Sequence, residues 1–252
     1  MEIRNAGVLV TGASRGLGLE LSRALARNGA KVVMVARGSR ELESAVRVVK
    51  DDAVMAGAAG EAHGLAFDVG EKEATHRIAG AAAALVSPID IVVHAASTLG
   101  PLPMPLLLDL ECEDLQRVLE VNLVGPFRLT KALAGPMVLR QRGLVLFISS
   151  DAAVSAYPSW GAYGVSKAAQ DHLARSFAAE LAPVRFFAVD PGEMNTRMHA
   201  DAMPDADPTT LARPSEVAAR LLTLLTTADT LSNGARLLAA DFAVHPGAGG
   251  RA

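Results

Sequence analysis

Short runs of β-branched and aliphatic residues alternate along the chain with longer stretches whose apolar positions recur at helical spacing. The runs fall at 6–11 (AGVLVT), 31–36 (KVVMVA), 63–68, 89–94 (IDIVVH), 143–149 (GLVLFIS), 184–189 (VRFFAV) and 235–240, and they predict strands. Helices are predicted at 16–28, 39–56, 71–86, 110–140, 161–182 and 214–227, the fourth broken into two near Val121-Asn122. The strands are nearly continuously apolar, as a strand covered by helices on both faces must be. Such βαβ repetition implies a parallel sheet. Right-handed crossovers then give an α/β, doubly wound, Rossmann-type sheet of about seven strands, with ligands at the strand carboxyl ends where strand order reverses. Gly100–Pro105 and Pro191–Pro214 read as loops leaving strand ends, and no stretch reads as a linker, so residues 1–252 are expected to form one domain. The Gly-rich tail His245–Ala252 is expected to fray.

Composition narrows the class. With 252 residues, half of them hydrophobic, the chain can bury a large core, which excludes intrinsic disorder. Lys+Arg 24 against Asp+Glu 27 leaves a net charge of −3, so neither nucleic acid nor an anionic membrane is an expected partner. The single cysteine, Cys112, can close no intrachain disulfide and build no thiolate metal site, which suits a reducing cytoplasm. His63, His76, His94, His172, His199 and His245 lack ligand spacing, so no metal site is expected. No uncharged apolar run approaches the roughly 18 residues that span a bilayer.

The first strand leads into Thr11-Gly12-Ala13-Ser14-Arg15-Gly16-Leu17-Gly18 and then a helix. Glycines there let the backbone turn tightly and approach a pyrophosphate, whose charge is met by free N–H groups at the helix N-terminus. Gly12, Ser14, Arg15, Gly16, Leu17 and Gly18 are therefore candidate dinucleotide contacts. This T-G-x-x-x-G-x-G turn resembles that of the short-chain dehydrogenase/reductase family. The likeness continues in order through Asp68-Val69, Asn122, Ser149-Ser150, Tyr163-Gly164-Val165-Ser166-Lys167 and Pro191-Gly192 with Thr196.

Tyr163 and Lys167 lie one turn apart on a predicted helix, and Ser150 stands at the carboxyl end of the fifth strand. A free tyrosine has a pKa of about 10, so acid/base work near neutrality needs its phenolate stabilised, and the ammonium of Lys167 is in reach to do that. Tyr163 would give its proton to the alkoxide formed as hydride reaches a carbonyl carbon, while Ser150 holds the same oxygen. The resemblance adds that Asn122 holds a water on a proton path from Lys167, which itself also contacts the cofactor. It further implies that Asp68 and Val69 face the adenine, and that Thr196, after Pro191 and Gly192, meets the nicotinamide carboxamide. Where the family usually has Asn-Asn-Ala-Gly this chain has His94-Ala95-Ala96-Ser97, so Ala95 is a cofactor contact that cannot brace its neighbours. His94 reads as a satisfied buried imidazole and not as a base.

An NAD-specific turn carries Asp or Glu at the end of the second strand, where Ala36 stands here. Arg37 follows it, and Arg15 lies in the glycine turn, so two guanidinium groups can converge on the 2′-phosphate of NADP. The loops after strands four to six carry Leu99, Leu102, Met104, Ala152, Val154, Tyr157, Trp160, Met194, Met198, His199 and Met203, with Arg197 as a cation for an acidic substrate. That set favours a mostly apolar ketone, aldehyde or secondary alcohol. The expected protein is thus an NADP(H)-dependent oxidoreductase of one dinucleotide-binding and catalytic domain. The alternative is a dinucleotide-binding sensor without turnover, against which Tyr163 and Lys167 both stand. The resemblance also implies a homodimer or homotetramer paired through helices near 122–140 and 161–182. Asp241-Phe242-Ala243, where the family has Asp-Gly-Gly, weakens the tetramer.

Overall fold

Alternate residues of each central strand feed opposite faces of the sheet, and both faces are covered. Val8 and Val10 of β1 (Gly7–Thr11) enter one core while Leu9 enters the other; Val32 and Met34 of β2 (Lys31–Ala36) oppose Val33 and Val35 in the same way. The pattern continues in β4 (Ile91–His94), β5 (Leu144–Ile148) and β6 (Arg185–Asp190). With β3 (Glu61–Ala66) and β7 (Arg236–Leu238) they form a parallel sheet in the order β3-β2-β1-β4-β5-β6-β7. One core is closed by α1 (Gly16–Arg27), α2 (Ser39–Met55) and α8 (Pro214–Thr227). The other is closed by α3 (Ala74–Leu85), α5 (Gly125–Leu139) and α6 (Gly161–Glu180). This computed structural model describes residues 1–243, so the tail expected to fray, with His245, lies outside the described residues.

Three elements differ from the sequence-based expectation. β3 runs two residues earlier than 63–68, because pairing with β2 and the Lys31–Glu61 ion pair at 3.0 Å set its start. Asp68 has left the strand, and its Oδ1 accepts the Gly70 N–H at 2.8 Å in a turn. The predicted break near Val121-Asn122 is a wide π turn, Glu120–Val124, that joins α4 (Cys112–Leu119) to α5 without interrupting the helix. The expected loop 191–214 contains a short helix, α7 (Arg197–Ala202), whose N-terminus Thr196 caps by accepting the His199 N–H at 3.2 Å. Strand order reverses between β1 and β4, and the site follows from that.

Candidate active site

A cavity of about 950 Å³ opens at the carboxyl ends of β1 and β4. Gly12 has φ 68°, and a Cβ there would come within 2.7 Å of the Ala96 nitrogen. A Cβ on Gly18 would lie 2.4 Å from the Gly12 carbonyl oxygen. Both positions therefore require glycine, and the turn keeps bare backbone on the wall formed with Ser14, Arg15, Gly16 and Leu17. No acidic residue stands in the first turn of α1 and no side chain caps it, so its first N–H groups are open to an anion. Arg15 and Arg37 are exposed on the same wall, and neither forms an ion pair among the described residues.

Val69 and Asp68 line the cavity farther along, with Asp68 paired to Arg117 at 2.6 Å. Ala95 lines it too, and the bracing it lacks comes from Thr11, whose Oγ1 accepts the N–H groups of Ala95 and Ala96, each at 3.2 Å. Pro191 and Thr196 close the far side. Gly192 is not on the wall. Its N–H is turned back to Asp190 Oδ1 at 3.0 Å.

Tyr163 and Lys167 are buried on α6 and both reach the cavity, with Lys167 Nζ 5.5 Å from the centre of the phenol ring. Nζ donates to the Ile148 carbonyl at 2.6 Å and to Gln170 Oε1 at 3.3 Å. Burial lowers the Lys167 pKa to about 8 despite Asp171 nearby. The expected lowering of the phenol is outweighed here. Burial dominates and pushes Tyr163 up to about 12; the Ser150 and Ser97 hydroxyls pull it down, and Asp151 and Asp190 push it up.

Ser150 begins the short turn after β5, off the cavity wall but beside Tyr163. Its hydroxyl donates to Asp151 Oδ1 at 2.9 Å and accepts the Ala152 N–H at 3.2 Å. Asn122, fully buried in the π turn, accepts the Thr98 N–H at 2.8 Å and donates to the Thr98 carbonyl and to Ser166 Oγ, each at 2.9 Å. Its backbone carbonyl accepts from Gln170 Nε2 at 2.9 Å, so an amide side chain stands between Asn122 and Lys167. His94 meets Thr130 Oγ1 at 2.9 Å and stacks on Phe147, and burial lowers its pKa to about 3. It is a neutral buried imidazole.

Beyond the phenol, Leu99 and Ala152 pack with Met104, Trp160, Met198 and Ala202 into a small apolar cluster around Tyr163. Leu102, Val154, Tyr157 and Met203 are more exposed, while Met194 packs on the main core. Arg197 lies 3.8 Å from Asp201. Three residues at the site were not among the sequence candidates. Ser97 bonds Asn122 Oδ1 at 3.2 Å beside Tyr163. Gln170 shares the inward face of α6, where a polar residue three positions after Lys167 was the available signal. Arg236 of β7 donates to Asp171 at 3.0 Å, and at 2.9 Å each to Asp190 and to the Ser150 carbonyl. No group of His, Cys, Asp or Glu able to hold a metal is found among the described residues.

The family model described as short chain dehydrogenase matches residues 6–207. A short chain dehydrogenase of Pseudocercospora fijiensis is 35% identical over 206 residues, which cover 79% of this chain and 63% of the relative. The chain thus spans less than two thirds of that relative's length. A solved structure from Shigella flexneri, assigned to the short chain dehydrogenases and complexed with NADP, superposes with a TM-score of 0.84 at 26% identity, covering 95% of this chain and 99% of that one. An NAD+-bound xylitol dehydrogenase shares the fold, with a TM-score of 0.81 at 24% identity over 94% of this chain and 98% of its own.

Proposed function

Since this chain belongs to the short-chain dehydrogenase/reductase family, we propose that it is an NADP(H)-preferring oxidoreductase for a mostly apolar ketone, aldehyde or secondary alcohol. The observation that carries the reading is the buried Tyr163–Lys167 pair on the wall of a cavity whose other end is the bare glycine turn. The residues fit a dinucleotide. The open N–H groups of α1 suit its pyrophosphate, and Arg15 and Arg37 suit a 2′-phosphate with no acid at Ala36 to repel it. Asp68, Val69 and Ala95 would flank the adenine half, with Pro191 and Thr196 near the nicotinamide.

When bound, the nicotinamide exchanges a hydride with the substrate carbon. Tyr163, held as a neutral phenol, donates its proton to the substrate oxygen in reduction and accepts it back in oxidation. Ser150 turns its hydroxyl from Asp151 to that oxygen, and the Lys167 ammonium steadies the phenolate left behind. The cluster of Leu99, Met104, Trp160 and Met198 around the phenol favours apolar substituents on the carbonyl.

We take the chain to act as one domain in the cytoplasm and as a homodimer through α5 and α6, on which Phe127, Leu139 and Val165 are exposed; a monomer mass by light scattering would rule the dimer out. No helix among the described residues is long and apolar enough to cross a membrane. Incubation with NADPH or NADH and a panel of ketones and aldehydes tests the activity. Faster oxidation of NADPH on at least one carbonyl is expected. Thermal stabilisation by NADPH with no turnover on the panel, or on secondary alcohols with the oxidised cofactor, would make it a sensor.

A further inference from the structure

Gln170 is fully buried on α6, three residues beyond Lys167. Its orientation is dictated by chemistry. The ammonium of Lys167 has only donors and the Asn122 carbonyl only lone pairs, so Oε1 must face the lysine and Nε2 the carbonyl. With Ile148 taking a second ammonium proton, two N–H directions are fixed and the third remains for the cavity that Lys167 lines. We propose that Gln170 is a positioning residue that aims the Lys167 ammonium into the cavity by tying it to the π turn at Asn122. The inference rests on the assignment of Lys167 as the partner of Tyr163.

The charged and titratable groups around Lys167 are Tyr163 and Asp171 on its own helix and His94 on β4. Behind Asp171 stand Arg236 of β7 and Asp190 of β6, while β5 presents only the Ile148 carbonyl. Substitution at Gln170 removes none of them. A titration change therefore reports the amide itself: its oxygen favours the ammonium form, a thioether does not, and a carboxylate favours it more.

The test compares wild type with Gln170→Met and Gln170→Glu, following the ε-carbon of Lys167 by NMR in lysine-labelled protein alongside the pH profile of NADPH-dependent reduction. The midpoint is expected to move down in Gln170→Met and up in Gln170→Glu, by about half a unit or more. Because the ammonium is lost as pH rises through its midpoint, the alkaline limb of the rate should move the same way in each variant. Unmoved midpoints, or shifts in one direction for both, would overturn the proposal. Wild type alone decides the matter if a variant does not fold: the Gln170 side-chain NH2 signals should titrate with Lys167, and signals flat across that midpoint mean there is no bridge. Opposite NMR shifts in a protein without reductase activity would sink the proposed function and leave the hold on Lys167 standing.

Discussion

Removing the hydroxyl of Tyr163 leaves a ring of the same shape in the same packing, so Tyr163→Phe isolates the proton. Reduction should fall at least about a hundredfold, the usual contribution of general acid catalysis, while NADPH affinity stays within a few fold. A stopped assay with a parallel fluorescence titration of NADPH separates the two quantities. A variant keeping more than about a tenth of the rate would remove Tyr163 from its role. On the proposed reading, cofactor choice also turns on single side chains. Ala36→Asp combined with Arg37→Ala places an acid where the ribose hydroxyls would lie and removes one guanidinium. The ratio of kcat/KM for NADPH over NADH should drop roughly 10- to 100-fold, the worth of one charged hydrogen bond. An unchanged ratio would mean that Arg37 does not read the phosphate.

One side chain ties the short last strand, paired with β6, to the site. Arg236 sits between Asp171 and Asp190 and also bonds the Ser150 carbonyl. Arg236→Met would leave Asp190 without its counter-charge and Asp171 with only the Lys167 ammonium nearby, a loss on the order of 3 kcal/mol on chemical denaturation, with slower turnover as Ser150 loosens. Unchanged stability would show that the two acids find other partners. This cluster was hidden in the sequence, where Arg236 is one arginine in a brief strand and its partners lie 46 and 65 positions earlier. The central strands were legible because continuous Val and Ile runs need burial on both faces. β3, an edge strand in which only Ala62 is buried, carried too weak a pattern to fix its register. Tyr163 and Lys167 were legible because helical spacing alone puts them together. Gln170 was not, since its function depends on the Asn122 carbonyl 48 residues away, which lacks an i+4 donor because that position is Pro126.

Because both faces of the sheet are covered, His94 at the end of a central strand is deprived of water, and the whole fold responds to its charge. Its folded-state pKa, about 3, lies below the ordinary imidazole value of 6.5, so its stabilising contribution is complete above pH 6.5 and is lost as pH falls toward 3. Across that window stability should decline by up to about 1.4 kcal/mol per pH unit on account of this one group. His94→Asn should flatten the acid side of a urea-denaturation series relative to wild type; parallel curves would mean that His94 finds a partner for its proton. The clasp at Arg236 carries a different lesson, about time. A ribosome delivers the chain from its amino end, so the glycine turn, Ser150 and Tyr163 all emerge before the guanidinium that fixes the Ser150 carbonyl. A nascent chain stalled before residue 236 can already present the turn that grips a dinucleotide, yet it should remain catalytically unfinished until the final strand arrives.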